Sequence, residues 1–147
     1  MAREAILEIN CNRYSERILD IINLFDELGW KYYDSEKNIV YLPLEDDDFN
    51  WQRKFLSENE LQELINKKQD KFEKIGLSLY YKNSKEGLTL LANSTKEIVI
   101  FLNINRRTIE NNRKSITDIG WYFSNIIQKF KERGCPIDYI KFEEYID

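Results

Sequence analysis

Leu42 to Phe55 reads LPLEDDDFNWQRKF, in which Glu45, Asp46, Asp47 and Asp48 run directly into Phe49 and Trp51. Consecutive carboxylates can do three things. They can offer hard oxygen ligands to magnesium or calcium, although this run lacks the spaced oxygens and turn glycine of a calcium loop. They can repel one another, stay solvated and connect a strand to a helix. Or they can draw in a basic partner over long range while the neighbouring aromatics slow its departure. The third reading explains why Phe49 and Trp51 stand in a segment too polar and too short to form a regular element. The competing fate is that both rings fold back as lids on the core.

The one local basic cluster is Arg106, Arg107, Arg113 and Lys114, within NRRTIENNRK. Beside Tyr33, Tyr80 or Tyr81 it could hold an anion, since a guanidinium matches carboxylate and phosphate geometry. A solvated loop, with the strand tyrosines as ordinary amphipathic packing residues, explains the same pattern.

Histidine is absent from the chain. That removes the commonest general base and metal ligand near neutral pH, and with it Ser–His and Cys–His nucleophile pairs. The five glycines are scattered, so neither a phosphate-cradling loop nor a dinucleotide fingerprint can be drawn. Cys11 and Cys135 lie near opposite ends without CxxC spacing and are expected as buried, reduced thiols. No cofactor and no metal is expected.

With 147 residues, 42% of them hydrophobic and 14% aromatic, the chain can bury one core and is read as a single domain, 1–147. Its 26 acidic and 22 basic residues leave a net charge of -4, which argues against binding nucleic acid. The longest apolar runs, such as EIVIFLNI, are strand-sized and far short of the roughly 20 residues needed to cross a bilayer. No basic region followed by an apolar core opens the chain. A cytoplasmic protein with no membrane association is expected.

The elements that would position these residues follow from periodicity. AILEINC alternates as a half-buried strand. Tyr14, Ile18, Ile21, Ile22, Phe25 and Leu28 then recur at helical spacing, with Ser15 as the cap and Gly29 as the stop. WKYYD and NIVYLPL flank SEKN and predict a hairpin, with Pro43 at its edge or end. A second helix starts at Ser57, where SENE has the form of a capping box; it runs along Leu61, Leu64, Ile65, Phe72 and Ile75 to a stop at Gly76. LSLYYK, GLTLLA and EIVIFLNI predict a three-strand antiparallel meander whose third strand, apolar on both faces, lies centrally. A helix over about 116–133 presents Ile119, Tyr122, Phe123, Ile126, Ile127 and Phe130 inward and ends at Gly134. DYIKFEEYI closes the chain as a strand. The order predicts an α+β fold, three helices packed on a largely antiparallel sheet.

On the wheel of the last helix, at 100° per residue, Trp121 falls nearly opposite the stripe of Ile119, Phe123, Ile126 and Phe130. It is therefore expected on the polar face, either covered by the Phe49 to Phe55 segment or offered to a partner.

A small, acidic, histidine-free α+β domain carrying EDDDFNW resembles the immunity proteins that bacteria make against polymorphic or contact-dependent toxins. The resemblance covers size, layout, that segment and a Lys-, Asn- and Ile-rich composition, and it transfers no individual residue. It implies a non-catalytic protein-binding inhibitor that neutralises a cognate toxin, often a basic nuclease domain, by blocking its active site. Glu45, Asp46, Asp47, Asp48, Phe49, Trp51 and Trp121 would then form the partner surface. Two readings compete: a phage or mobile-element inhibitor of a host enzyme, and a small enzyme using carboxylates and tyrosines. An enzyme should gather two or more of Glu45, Asp46, Asp47, Arg106 and Arg107 around a concave apolar pocket, whereas an inhibitor should show a flat or convex acidic patch.

Overall fold

A computed structural model describes residues 3–46 and 48–146. Among them, eight strands form one antiparallel sheet: β1 (Arg3–Asn10), β2 (Trp30–Lys31), β3 (Ile39–Tyr41), β4 (Gln52–Lys54), β5 (Ile75–Tyr81), β6 (Gly87–Ser94), β7 (Glu97–Ile104) and β8 (Tyr139–Ile146). The order is β4-β3-β5-β6-β7-β1-β8, with β2 also paired to β5. The meander β5-β6-β7 forms as its turn compositions predict, and β7 lies in the interior between β6 and β1.

Alternation sets the two faces. Leu7, Ile9, Ile98, Ile100, Leu88, Leu90, Leu77 and Leu79 are buried and join one core cluster with the buried side chains of the helices. The neighbouring positions Ile6, Leu91, Val99 and Phe101 point the other way and remain half-buried. The helices are α1 (Ile18–Glu27), α2 (Glu58–Asp70) and a third rod built of α3 (Ile119–Tyr122), a π-helical turn (Phe123–Ile127) and α4 (Gln128–Glu132). The fold is α+β, as the order of elements predicts. Cys11 and Cys135 are free and buried.

Three local expectations change. The segment before α1 does not use Ser15 as its cap: the helix starts after Arg17, and Ser15 instead accepts the Arg17 N–H (3.0 Å) and donates to Asp20 (2.6 Å). Gln69 of α2 takes the Ile18 N–H at 2.9 Å, so a neighbouring helix supplies the cap. β2 and β3 do not form a hairpin with each other. Both align antiparallel on the same edge of β5, Trp30 opposite Tyr81 and Tyr41 opposite Leu77, with the residues between them forming an excursion. The hairpin of this region joins β3 to β4, and Arg53 of β4 clamps the excursion through Asp34 (2.9 Å) and Glu36 (3.2 Å).

Gly76 does not end α2. Phe72 does, in the left-handed conformation at φ 58°, and Gly76 lies within β5. A Cβ at Gly76 would meet the Trp51 ring at 2.6 Å and Leu42 at 2.7 Å, so glycine is needed there for Trp51 to lie against the sheet backbone. Gly29 and Gly134 do take positive φ at their helix ends, as expected.

Candidate functional site

Phe49 and Phe72 are the most conspicuous residues at the acidic end of the molecule. Phe49 is 52% exposed and Phe72 is 87% exposed. Each sits in the left-handed region, at φ 55° and 58°, where a bulky side chain carries a backbone cost of roughly 1–2 kcal/mol. Both line one cleft of about 370 Å³, together with Leu42, Asp46, Glu73 and Lys74. Glu45, beside it, is left-handed as well at φ 61°. Three strained non-glycine residues thus border a single feature. The sequence pattern puts Phe72 inside the helix stripe; it escapes because α2 ends at Asp70, two residues short of it.

A buried lysine holds this end in place. Lys68 occupies the inner stripe of α2, with 0% exposure, and its ammonium donates to the Pro43 carbonyl (2.6 Å) and Glu73 (3.3 Å). Glu73 in turn accepts the Glu45 N–H at 2.8 Å. One charge therefore ties the strand exit, the acidic run and the turn after α2 into a unit. Asp46 caps its own turn by accepting the Asn50 N–H at 3.1 Å. Glu45 is exposed, with Lys71 at 4.0 Å, and Asp48 is exposed; Asp47 lies outside the described residues. Lys74 stands 6.0 Å from the Phe49 ring centroid. Among the described residues no three His, Cys, Asp or Glu converge in a way that could hold a metal ion.

Trp51 is 37% exposed and lies over Gly76, as does Leu42 of the cleft wall. Trp121 is elsewhere. Its ring meets Trp30, Tyr81 and Tyr122 edge-on at 6.0, 5.6 and 5.0 Å, and Arg107 stacks over it at 5.0 Å. The uniform wheel misplaces it because the rod contains a π-helical turn. Buried Tyr122, Ile126 and Phe130 recur every fourth residue, the spacing of an underwound helix, and Trp121 flanks that stripe over the sheet rather than facing away from it. The wide turn lets the Asn125 carbonyl accept the Trp30 indole N–H at 3.1 Å. The Asn125 side chain accepts from Tyr81 (3.0 Å) and donates to the Trp121 carbonyl (2.8 Å). Tyr122 is fully buried, and burial pushes its phenol up to about 12 while the Arg107 N–H hydrogen-bonds its oxygen at 2.8 Å.

The basic cluster divides. Arg106 is a clamp: it donates to the Arg113 and Ser115 carbonyls, to Thr117 and, at 3.3 Å, to Glu144 of β8. Arg107 turns to Trp121, Glu86 and Asp118. Arg113 and Lys114, with Lys85, Arg3 and Arg106, line a second concavity of about 880 Å³ whose remaining wall is rich in asparagine. Burial opposes ionisation of Glu144, but hydrogen bonds from Thr117 and the Arg3 guanidinium outweigh it and hold the carboxyl below its ordinary value.

Neither Arg106 nor Arg107 lines the cleft that Asp46 lines. The signal that could have found Phe72 was the lysine at position 68, a charged residue on the apolar stripe. No helix of the described residues is long and apolar enough to cross a membrane. Comparison with known proteins gives no matching family model, no matching curated protein and no matching solved structure.

Proposed function

We propose that the chain is a non-catalytic binding protein that docks a basic protein partner on the cleft framed by Phe49 and Phe72, in the manner of an immunity protein neutralising its toxin. The carrying observation is the pair of exposed phenylalanines, both held in a strained backbone and aimed at one cleft beside the acidic run. At Phe72 the left-handed backbone ends α2, a place glycine would fill without strain, so a phenylalanine kept there with its ring exposed supports a role in binding. Glu45, Asp46 and Asp48 supply long-range attraction, Phe49 and Phe72 the anchors, and Trp51 the wall behind them. Asp47 belongs to the same run by sequence. Trp121 belongs to the interior aromatic group and is not part of this surface. A phage or mobile-element inhibitor would use the same surface on a different partner.

The test is calorimetric titration with the product of the neighbouring gene, together with inhibition of its activity. Phe49→Ala and Phe72→Ala should each weaken binding by about 2 kcal/mol with little change in melting temperature. Replacing Asp46 and Asp48 by Asn should leave the melting temperature nearly unchanged and slow association several-fold at low salt. Tight binding indifferent to all four substitutions would remove the cleft from the interface. A partner bound equally fast at low and high salt would remove the steering role of the acids.

A further inference from the structure

β8 is a long, regular edge strand of the described sheet. All eight of its residues pair with β1, from Tyr139 opposite Asn10 to Ile146 opposite Arg3, without a bulge or a proline. Its outer edge receives no backbone hydrogen bond from any other described segment. The opposite edge of the sheet is protected: β4 has three residues, Gln52–Lys54, two of them basic. Tyr139, Ile140, Tyr145 and Ile146 are also exposed large apolar side chains, so four such residues concentrate on this one strand. A long, regular, partly apolar edge is a template for another strand.

We infer that β8 pairs antiparallel with β8 of a second copy, around a two-fold axis at Phe142, to make one sheet across both chains. This inference stands independently of the cleft. A two-fold axis perpendicular to the sheet and between the strands keeps each side chain on its own face, so the register must be centred on a residue that faces its own copy. Centred on Phe142, the register sets Lys141 against Glu143 of the other copy, twice, and Tyr139 against Tyr145 of the other copy, twice. Opposite charges and aromatic pairs face each other across the strands. Glu144 meets Ile140 of the other copy, but it is already held within its own chain by Arg3, Arg106 and Thr117. Moving the axis by one residue sets Glu143 against Glu143, or Lys141 against Lys141, and like charges directly opposed are repulsive. The sequence YIKFEEYI is therefore self-complementary in one central register. In the single chain Lys141 and Glu143 are ion-paired to each other at 2.6 Å, both half-exposed, and need only rotate to reach across.

Sedimentation equilibrium over about 1 µM to 1 mM tests this, on the wild type, Lys141→Glu, Glu143→Lys and the double swap K141E/E143K. A strand pairing of this size forms a weak dimer, so the wild type should dimerise with rising concentration. Each single change should weaken dimerisation about tenfold or more, and the double swap should restore it to within about threefold of wild type. Circular dichroism melts should be alike for all four, since both side chains are on the surface. A wild type that stays monomeric throughout overturns the inference, and protection of β8 amides from exchange only upon addition of the basic partner would assign the edge to that partner. A dimer untouched by the single changes, or one the double swap fails to rescue, equally overturns the Phe142-centred register.

Discussion

The molecule holds two groups of aromatic residues that treat their surroundings in opposite ways. Trp30, Tyr81, Trp121 and Tyr122 interlock, Trp121 edge-on to the other three and Trp30 tilted against Tyr81, with the polar atoms of Trp30, Tyr81 and Tyr122 taken up by Asn125, Lys129 and the Arg107 N–H. To accommodate them the helix departs from regular geometry, widening into a π turn. At the other group, Phe49 and Phe72 hold a left-handed backbone with their rings outside, and at Phe72 that backbone ends α2 where glycine would serve without strain. Strain next to a satisfied, buried cluster is explained by packing. Strain that ends in an exposed ring is not, and that difference is what favours the cleft as the proposed docking surface.

The largest expected effect falls on the interior group. Trp30→Ala should lower stability by about 3–5 kcal/mol in urea unfolding, because Trp30 is fully buried and its hydrogen bond to the Asn125 carbonyl goes with it. Trp121→Ala should cost less, about 2 kcal/mol, since it is half-buried but touches three rings. A loss well under 1 kcal/mol for either would mean that the interlock is not what holds the π turn.

Alkaline pH should separate the two groups next. Burial raises the Tyr122 phenol from 10.0 to about 12, above its value in the unfolded chain. The stabilisation from keeping it neutral is complete below pH 10 and is lost as pH rises through the folded value of about 12. Wild-type stability should therefore fall over that window relative to Tyr122→Phe, which has no phenol to ionise. Parallel curves for the two proteins would show that the ring is reached by water in the folded state.

The smallest effect has the opposite sign. Phe72→Gly should leave stability unchanged or raise it by up to about 1 kcal/mol, since glycine takes φ 58° without steric cost and an 87% exposed ring contributes little to the fold. Binding of the partner should weaken in the same protein. Marked destabilisation would show that the Phe72 ring is covered in solution, and the contrast between the two groups would fail.

Much of this was legible in the chain because it depends on local rules. Alternation in AILEINC and EIVIFLNI, the Ser57/Glu60 capping box and the glycines at 29 and 134 each specify structure through neighbours a few residues away. That reach ends where the decisive neighbour is distant. The Ile18 N–H is capped by Gln69, β3 pairs with β4 and β5 rather than β2, and Gly76 is glycine because Trp51 lies on it.

By itself the sequence determined the class of fold, the run of acids and the absence of histidine chemistry, since composition and short-range periodicity carry these. Only the tertiary structure decided which aromatics are offered outward. A wheel with constant pitch cannot anticipate a π turn, and a buried Lys68 donating to the Pro43 carbonyl is a contact between segments far apart in the chain. Exposure is set by what packs on a residue from elsewhere, so Trp121 went in and Phe72 came out although spacing along their helices argued the reverse.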